Sequence, residues 1–390
     1  MSRSSRLRWG AATCGLVASL FAPLVHSQVD TLRAQHFALA TARLPQRTSP
    51  GPLPQTPRVG LRVRVAGGIL HPPTVAPDDT LLLALSNPVI AAYEVQRGQL
   101  LWTARLGSSP AASSVIALRD GRRAVITENL ELIVFNRLGR TLSRRTLPLS
   151  GADPRLRVSA APDGGLWIVL GRRVLRLDAA LELRFQTQIA TEAAVVLPDQ
   201  SPPLLVAATG EVYAVATSGE VTRVGNFQGR VEDAVAADEL HVLAVVDGKR
   251  VLELDLESGG LSPRFLEPDL DLQPRLTRNS SGLWFTTSND LLLSLTNSGR
   301  ERLRAPIPAS PFTRLKTVDV LPGPDGTAFV SRSATDLLHI AADGNVSRVE
   351  GTACAEPLPP QPLPGSRVIL ACRSGIILRL DDAATSARAP

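Results

Sequence analysis

A tight turn between apolar runs recurs along this chain at intervals near forty residues, and that recurrence constrains the fold more than any other feature. The turns are Gln96-Arg97-Gly98-Gln99, Arg137-Leu138-Gly139-Arg140, Asp178-Ala179-Ala180-Leu181, Thr217-Ser218-Gly219-Glu220, Glu257-Ser258-Gly259-Gly260, Asn297-Ser298-Gly299-Arg300, Ala342-Asp343-Gly344-Asn345 and a degenerate Asp381-Asp382-Ala383-Ala384. Counted from the glycine or its equivalent, the steps are 41, 41, 39, 40, 40, 45 and about 40 residues, the period of four-stranded propeller blades. Glycine recurs because a short hairpin turn places one residue at positive φ, which a Cβ opposes. The third and eighth units lack it, so Asp178 or Asp382 is expected to relieve the strain by turn hydrogen bonding.

A second ladder keeps the same period: Asp79-Thr80, Asp120-Gly121, Asp163-Gly164, Asp199-Gln200, Asp238-Glu239, Ser280-Ser281, Asp325-Gly326 and Gly365-Ser366, each followed by a β-prone apolar run. Every unit therefore reads as four strands, and such a sheet buries both faces only between neighbours around an axis. The expected fold is all-β, an eight-bladed β-propeller of four-stranded antiparallel blades. Trp167 and Trp284, at the start of second strands, are assigned to packing between blades. Val59-Gly60-Leu61-Arg62-Val63-Arg64-Val65 alternates apolar and charged residues, a half-buried strand pattern. It is expected to close the ring as the outer strand of blade eight and so remove a free edge. The expected divisions are a signal peptide over 1–27, a leader with a proline-rich linker over 28–58 and the propeller over 59–390. The leader reads as lying outside the ring, either with a short amphipathic helix over Val29–Leu44 or without structure.

Arg3, Arg6 and Arg8 precede a short apolar stretch that ends at Val25-His26-Ser27, which reads as an export signal cleaved near Ser27. Lipid anchoring at Cys14 is the competing reading, but most of the apolar run follows that cysteine rather than preceding it. Cleavage would leave Cys354 and Cys372. An even number in an oxidising compartment favours a disulfide, with two buried thiols as the alternative. Cys372 is placed on the second strand of blade eight and Cys354 about where the first should run. The formal charge of +6 would fall to about +3 on loss of the three arginines. Basic residues are scattered without a stripe, so a nucleic-acid partner is not expected.

At Ala92-Tyr93-Glu94-Val95-Gln96-Arg97-Gly98-Gln99-Leu100-Leu101-Trp102 the chain resembles the pyrroloquinoline-quinone-like repeat: a small residue, an acid two positions on, a glycine turn, and a tryptophan four residues after the glycine. The resemblance implies that Trp102 locks adjacent blades. Leu254-Asp255-Leu256-Glu257-Ser258-Gly259 is a weaker copy. Ser143, Arg223, Pro263, Leu303 and Arg348 stand where later units would carry the tryptophan. That superfamily holds quinoprotein dehydrogenases and non-catalytic members, among them the propeller scaffold of the outer-membrane-protein assembly machinery. The adjacent cysteine pair that many of the enzymes use is absent from this sequence.

Gly-x-Ser-x-Gly, His-Glu-x-x-His and Cys-x-x-Cys do not occur. His241 and His339 are read as packing or surface residues rather than metal ligands, and Glu267, Asp269 and Asp271 as a solvated acidic loop rather than a calcium site. No cofactor, catalytic residue or metal ligand is assigned. The candidate binding face is the one built from the loops joining second and third strands and those joining successive blades, with Asn87, Glu128, Asn129, Arg172, Arg173, Asp247, Asn289, Asp290, Asp336 and Arg373. The expectation is a periplasmic or secreted, non-catalytic scaffold that binds another cell-envelope protein or a polar ligand, as a monomer or within a complex, with no transmembrane segment in the mature chain. The alternative is a propeller enzyme, either calcium-dependent and lactonase-like or a degenerate quinoprotein.

Overall fold

A computed structural model describes Ser49 and residues 51–383, except 119, 150–155, 162, 198–199, 201, 309–317 and 333–336. The expected signal peptide over 1–27 and most of the expected leader lie outside the described residues. Eight four-stranded antiparallel sheets follow one another along the chain, and the molecule is an eight-bladed β-propeller. Blade one is Thr74–Val75, Thr80–Leu85, Val89–Glu94 and Leu100–Arg105. Its second strand is buried along its whole length and its fourth is largely exposed. Middle strands carry apolar residues on both faces because each face meets a neighbouring blade, whereas the outer strand borders water. Among the described residues the buried apolar side chains fall into eight clusters, one at each seam between blades. Trp167 packs in the seam between blades three and four and Trp284 in the seam between six and seven. Among the described residues, no helix is long and apolar enough to cross a membrane.

The outer turns show how seams are sealed. Gly98, Gly139, Gly219, Gly259, Gly299 and Gly344 all have positive φ. A Cβ on Gly139 would lie 2.4 Å from the Trp102 ring of the preceding blade. The same space is taken by Phe185 over Gly219, Leu303 over Gly344, and Val63 and Leu61 over Gly98. Phe185 stands four residues after Leu181, so it is the blade-three counterpart of Trp102, hidden from a search keyed on glycine. Leu181 itself takes φ 65°. Its turn is closed by the Glu182 N–H donating to Asp178 Oδ1 at 2.9 Å, the relief expected of Asp178. At that seam the sizes are exchanged: a serine, Ser143, occupies the tryptophan position opposite Val134. The turn supplies the bulk, with Leu181 buried among Leu132 and Val134. Burial of a leucine contributes about 1.5–3 kcal/mol, against a left-handed conformation costing about 1–2.

Pro57–Arg64 pairs antiparallel with Ile376–Asp382 and completes blade eight, so the N-terminal strand closes the ring as expected. Three expectations need correction. Asp381 and Asp382 do not form an eighth turn. They extend the third strand of blade eight opposite Arg58 and Pro57, because the fourth strand arrives from the other end of the chain. The linker's end is not outside the ring: Leu53 is buried among Leu321, Phe329 and Leu370 at the seam between blades seven and eight. Gln55 Nε2 donates to Asp325 (2.6 Å) and Thr56 Oγ1 to Asp382 (2.7 Å). Cys354 lies in the connection before the first strand of blade eight, Gln361–Leu363, and not on it. It is joined by a disulfide to Cys372, at a Cα separation of 5.7 Å.

Candidate functional site

Antiparallel four-stranded blades put the loops between second and third strands on the same face as the connectors that lead from one blade to the next. Asn87, Glu128, Asn129, Arg172, Arg173, Asp247, Asn289, Asp290 and Arg373 are brought to that face from six blades, while Asp336 lies outside the described residues. They are distributed around the ring, and several are held by connectors. The Arg230 N–H donates to Asp247 Oδ1 at 2.8 Å, and Arg172 Nε donates to the Ile189 carbonyl at 3.1 Å. Arg332 pairs with Asp290 at 3.0 Å, and Arg373 Nη1 donates to the Leu70 carbonyl at 2.9 Å. The Glu128 N–H reaches Pro110 and the Asp247 N–H reaches Arg230. These loops are thus hydrogen-bonded to neighbouring chain segments, most of them connectors. Asn129 and Asn289 project into solvent.

The histidines have different environments. His71 is buried, with Nε2 2.9 Å from the Ala111 carbonyl, and burial lowers its pKa to about 4. His339 is buried against Phe329, and burial lowers its pKa too. His241 sits at the opposite face, its Nδ1 2.8 Å from Asp238 Oδ1, and the hydrogen bond to that carboxylate raises its pKa. The acidic loop is engaged by cations: Glu267 pairs with Arg304 and Asp271 with Lys249. Among the described residues, no group of three or more histidines, cysteines or acids is placed to hold a metal ion.

A closed ring of eight blades with connector-laced loops defines a rigid β-propeller platform. No family model and no curated protein matches the sequence. The fold is similar to BamB from Moraxella catarrhalis, with a TM-score of 0.63 and 13% identity over 84% of this chain and 98% of that one. It is also similar to the computationally designed Ika8 protein (TM-score 0.61, 10% identity, 86% and 99% covered). A third likeness is to virginiamycin B lyase from Staphylococcus aureus (0.52, 12%, 82% and 98%). At these identities the likeness establishes the fold.

Proposed function

We propose that this chain is an exported, non-catalytic scaffold of the cell envelope that holds a partner protein at the rim of blades one to three. The observation that carries the reading is a band of leucines the fold does not use. Leu100, Leu101, Leu138, Leu142 and Leu183 are between 45% and 69% exposed, on outer strands or their turns in three consecutive blades. The three blades are tied together at this rim: Trp102 Nε1 donates to the Arg137 carbonyl at 2.8 Å, and Arg145 pairs with Glu182 at 3.1 Å. Blade five also exposes Leu240 and Leu266, but five of the seven exposed large apolar side chains among the described residues fall in blades one to three. Three residues after the turn, blades one and two carry Leu101 and Leu142, where blades four to seven carry Thr222, Ser262, Arg302 and Ser347. Contiguous exposed apolar surface marks interaction sites. Arg137, Arg140 and Arg184, which flank the leucines, make no salt bridge among the described residues, so charge complementarity selects a partner segment that is both apolar and acidic. The basic and apolar N-terminal pattern read as an export signal and the likeness to BamB, an outer-membrane assembly propeller, support an envelope setting.

The test places p-benzoylphenylalanine at Leu138 in the native host. It is expected to crosslink an envelope protein that, once purified, loses binding to Leu142→Glu and Arg140→Glu but binds Thr222→Glu like the wild type. Equal crosslinking from positions 138 and 222, or unchanged binding to Leu142→Glu, would overturn the reading.

A further inference from the structure

The seam between blades five and six lacks the apolar plug found over Gly98, Gly139, Gly219 and Gly344, as does the seam between blades four and five, where nothing lies within 4 Å of a Cβ on Gly259. Pro263 stands four residues after the turn glycine, but its partner across the sheet, Leu252, packs in the seam between blades four and five, and it is the side chain of Arg264 that lies beside Gly299, its Cδ 3.6 Å from where a Cβ would be. A cleft of about 190 Å³ opens there on the face opposite the connectors. Its apolar floor is Leu243, Leu283 and Leu295. Two of its acids are already occupied. Asp238 Oδ1 accepts from the Leu240 and His241 N–H groups, both at 2.9 Å, and faces His241 Nδ1. Glu253 takes a two-pronged pair from Arg264, with one contact at 2.9 Å. Arg278 also lines the cleft, and its side chain makes no hydrogen bond or ion pair among the described residues.

With Nδ1 tied to Asp238, the other ring nitrogen of His241 is left for a ligand, and the carboxylate raises the charge on that ring. Besides the side-chain amide of Asn297, which also lines the cleft, the donors remaining are a planar guanidinium and an imidazole above a leucine floor. We propose that this cleft binds a monocarboxylate on a short apolar chain, with Arg278 gripping the carboxylate, His241 as second donor and the leucines beneath the chain. A guanidinium matches the fork of a carboxylate. The volume lies well below the roughly 300–1,000 Å³ of sites for drug-sized ligands, which restricts the occupant to a few carbons or one terminal residue. A free short-chain acid and the C-terminus of a peptide share this chemistry. The site stands apart from the leucine rim and does not depend on it.

Isothermal titration with hexanoate and with N-acetyl-leucyl-leucine, each against its amide, tests the assignment and separates the two sources. At least one acid is expected to bind and its amide not to. Arg278→Gln should weaken binding by about ten- to a hundredfold, the loss of a charged hydrogen-bonded partner, without change in melting temperature. Arg264→Phe, which would set over Gly299 the kind of aromatic that Trp102 sets over Gly139, should abolish binding while the ring stays folded. Binding of acid and amide alike, no binding of either acid at millimolar concentration, or unchanged affinity in Arg278→Gln would each overturn the proposal.

Discussion

Trp102 and Leu181 seal their seams from opposite sides, and that difference makes a sharp residue-scale test. Leu181→Gly relieves the left-handed backbone but opens a cavity, with a net cost of about 2 kcal/mol. Ser143→Trp alone should also destabilise, by overpacking. Combined, the two recreate the Trp102 and Gly139 arrangement of the neighbouring seam, and denaturant unfolding should show a favourable coupling of about 1 kcal/mol or more. Purely additive losses would show that the seams are not interchangeable. Trp102 is half-buried rather than enclosed, so Trp102→Ala should cost about 2 kcal/mol, below the 3–5 typical of a buried aromatic. Trp102→Phe should cost about 1 through loss of the Arg137 hydrogen bond. His71 supplies the pH dependence. Its folded pKa of about 4 lies below the usual 6.5, so the unfolded chain takes up the proton first. Its contribution is complete above pH 6.5 and is lost as pH falls toward 4, up to about 3 kcal/mol. His339, shifted the same way, adds to the trend. His71→Gln should flatten the stability profile between pH 6.5 and 4, and an unchanged profile would exclude this origin.

At the scale of elements, the N-terminal segment does two jobs that the sequence pattern separates poorly. Pro57–Arg64 alternates in a way that announces a strand, and it covers the exposed edge of blade eight. Residues 53–56 carry no periodicity, yet Leu53 is buried between blades seven and eight. A chain beginning at Ser49 is therefore expected to be more stable than one beginning at Pro57 by about 2–3 kcal/mol, the burial of one leucine side chain together with its neighbours' hydrogen bonds. A chain beginning at Ala66 should aggregate or fail to fold. Equal melting temperatures for the first two would show that the Leu53 contact is idle.

For the whole molecule, blade number, blade order and ring closure were legible because each is written locally: turn glycines that need positive φ, β-prone apolar runs at a fixed spacing, and a spare alternating strand at one end of the chain. The aromatic plug of blade three was not legible, since Phe185 is recognised only once Leu181 is known to occupy the glycine position. The candidate face was legible as a set of loops, but not as a set of occupied side chains. Whether Asp247, Asp290 or Arg373 is available to a ligand depends on connectors that approach from other blades. The leucine band and the carboxylate cleft were invisible for the same reason. Leu101, Leu142 and Leu183, or Arg278 and His241, lie tens of residues apart, and no periodicity distinguishes an exposed leucine from a buried one. Local turn chemistry and strand alternation are properties of neighbours in the chain, and they determined the architecture. Seams, pairings and surfaces are made between blades, so only the tertiary structure decided which side chains the ring consumes and which it leaves to bind.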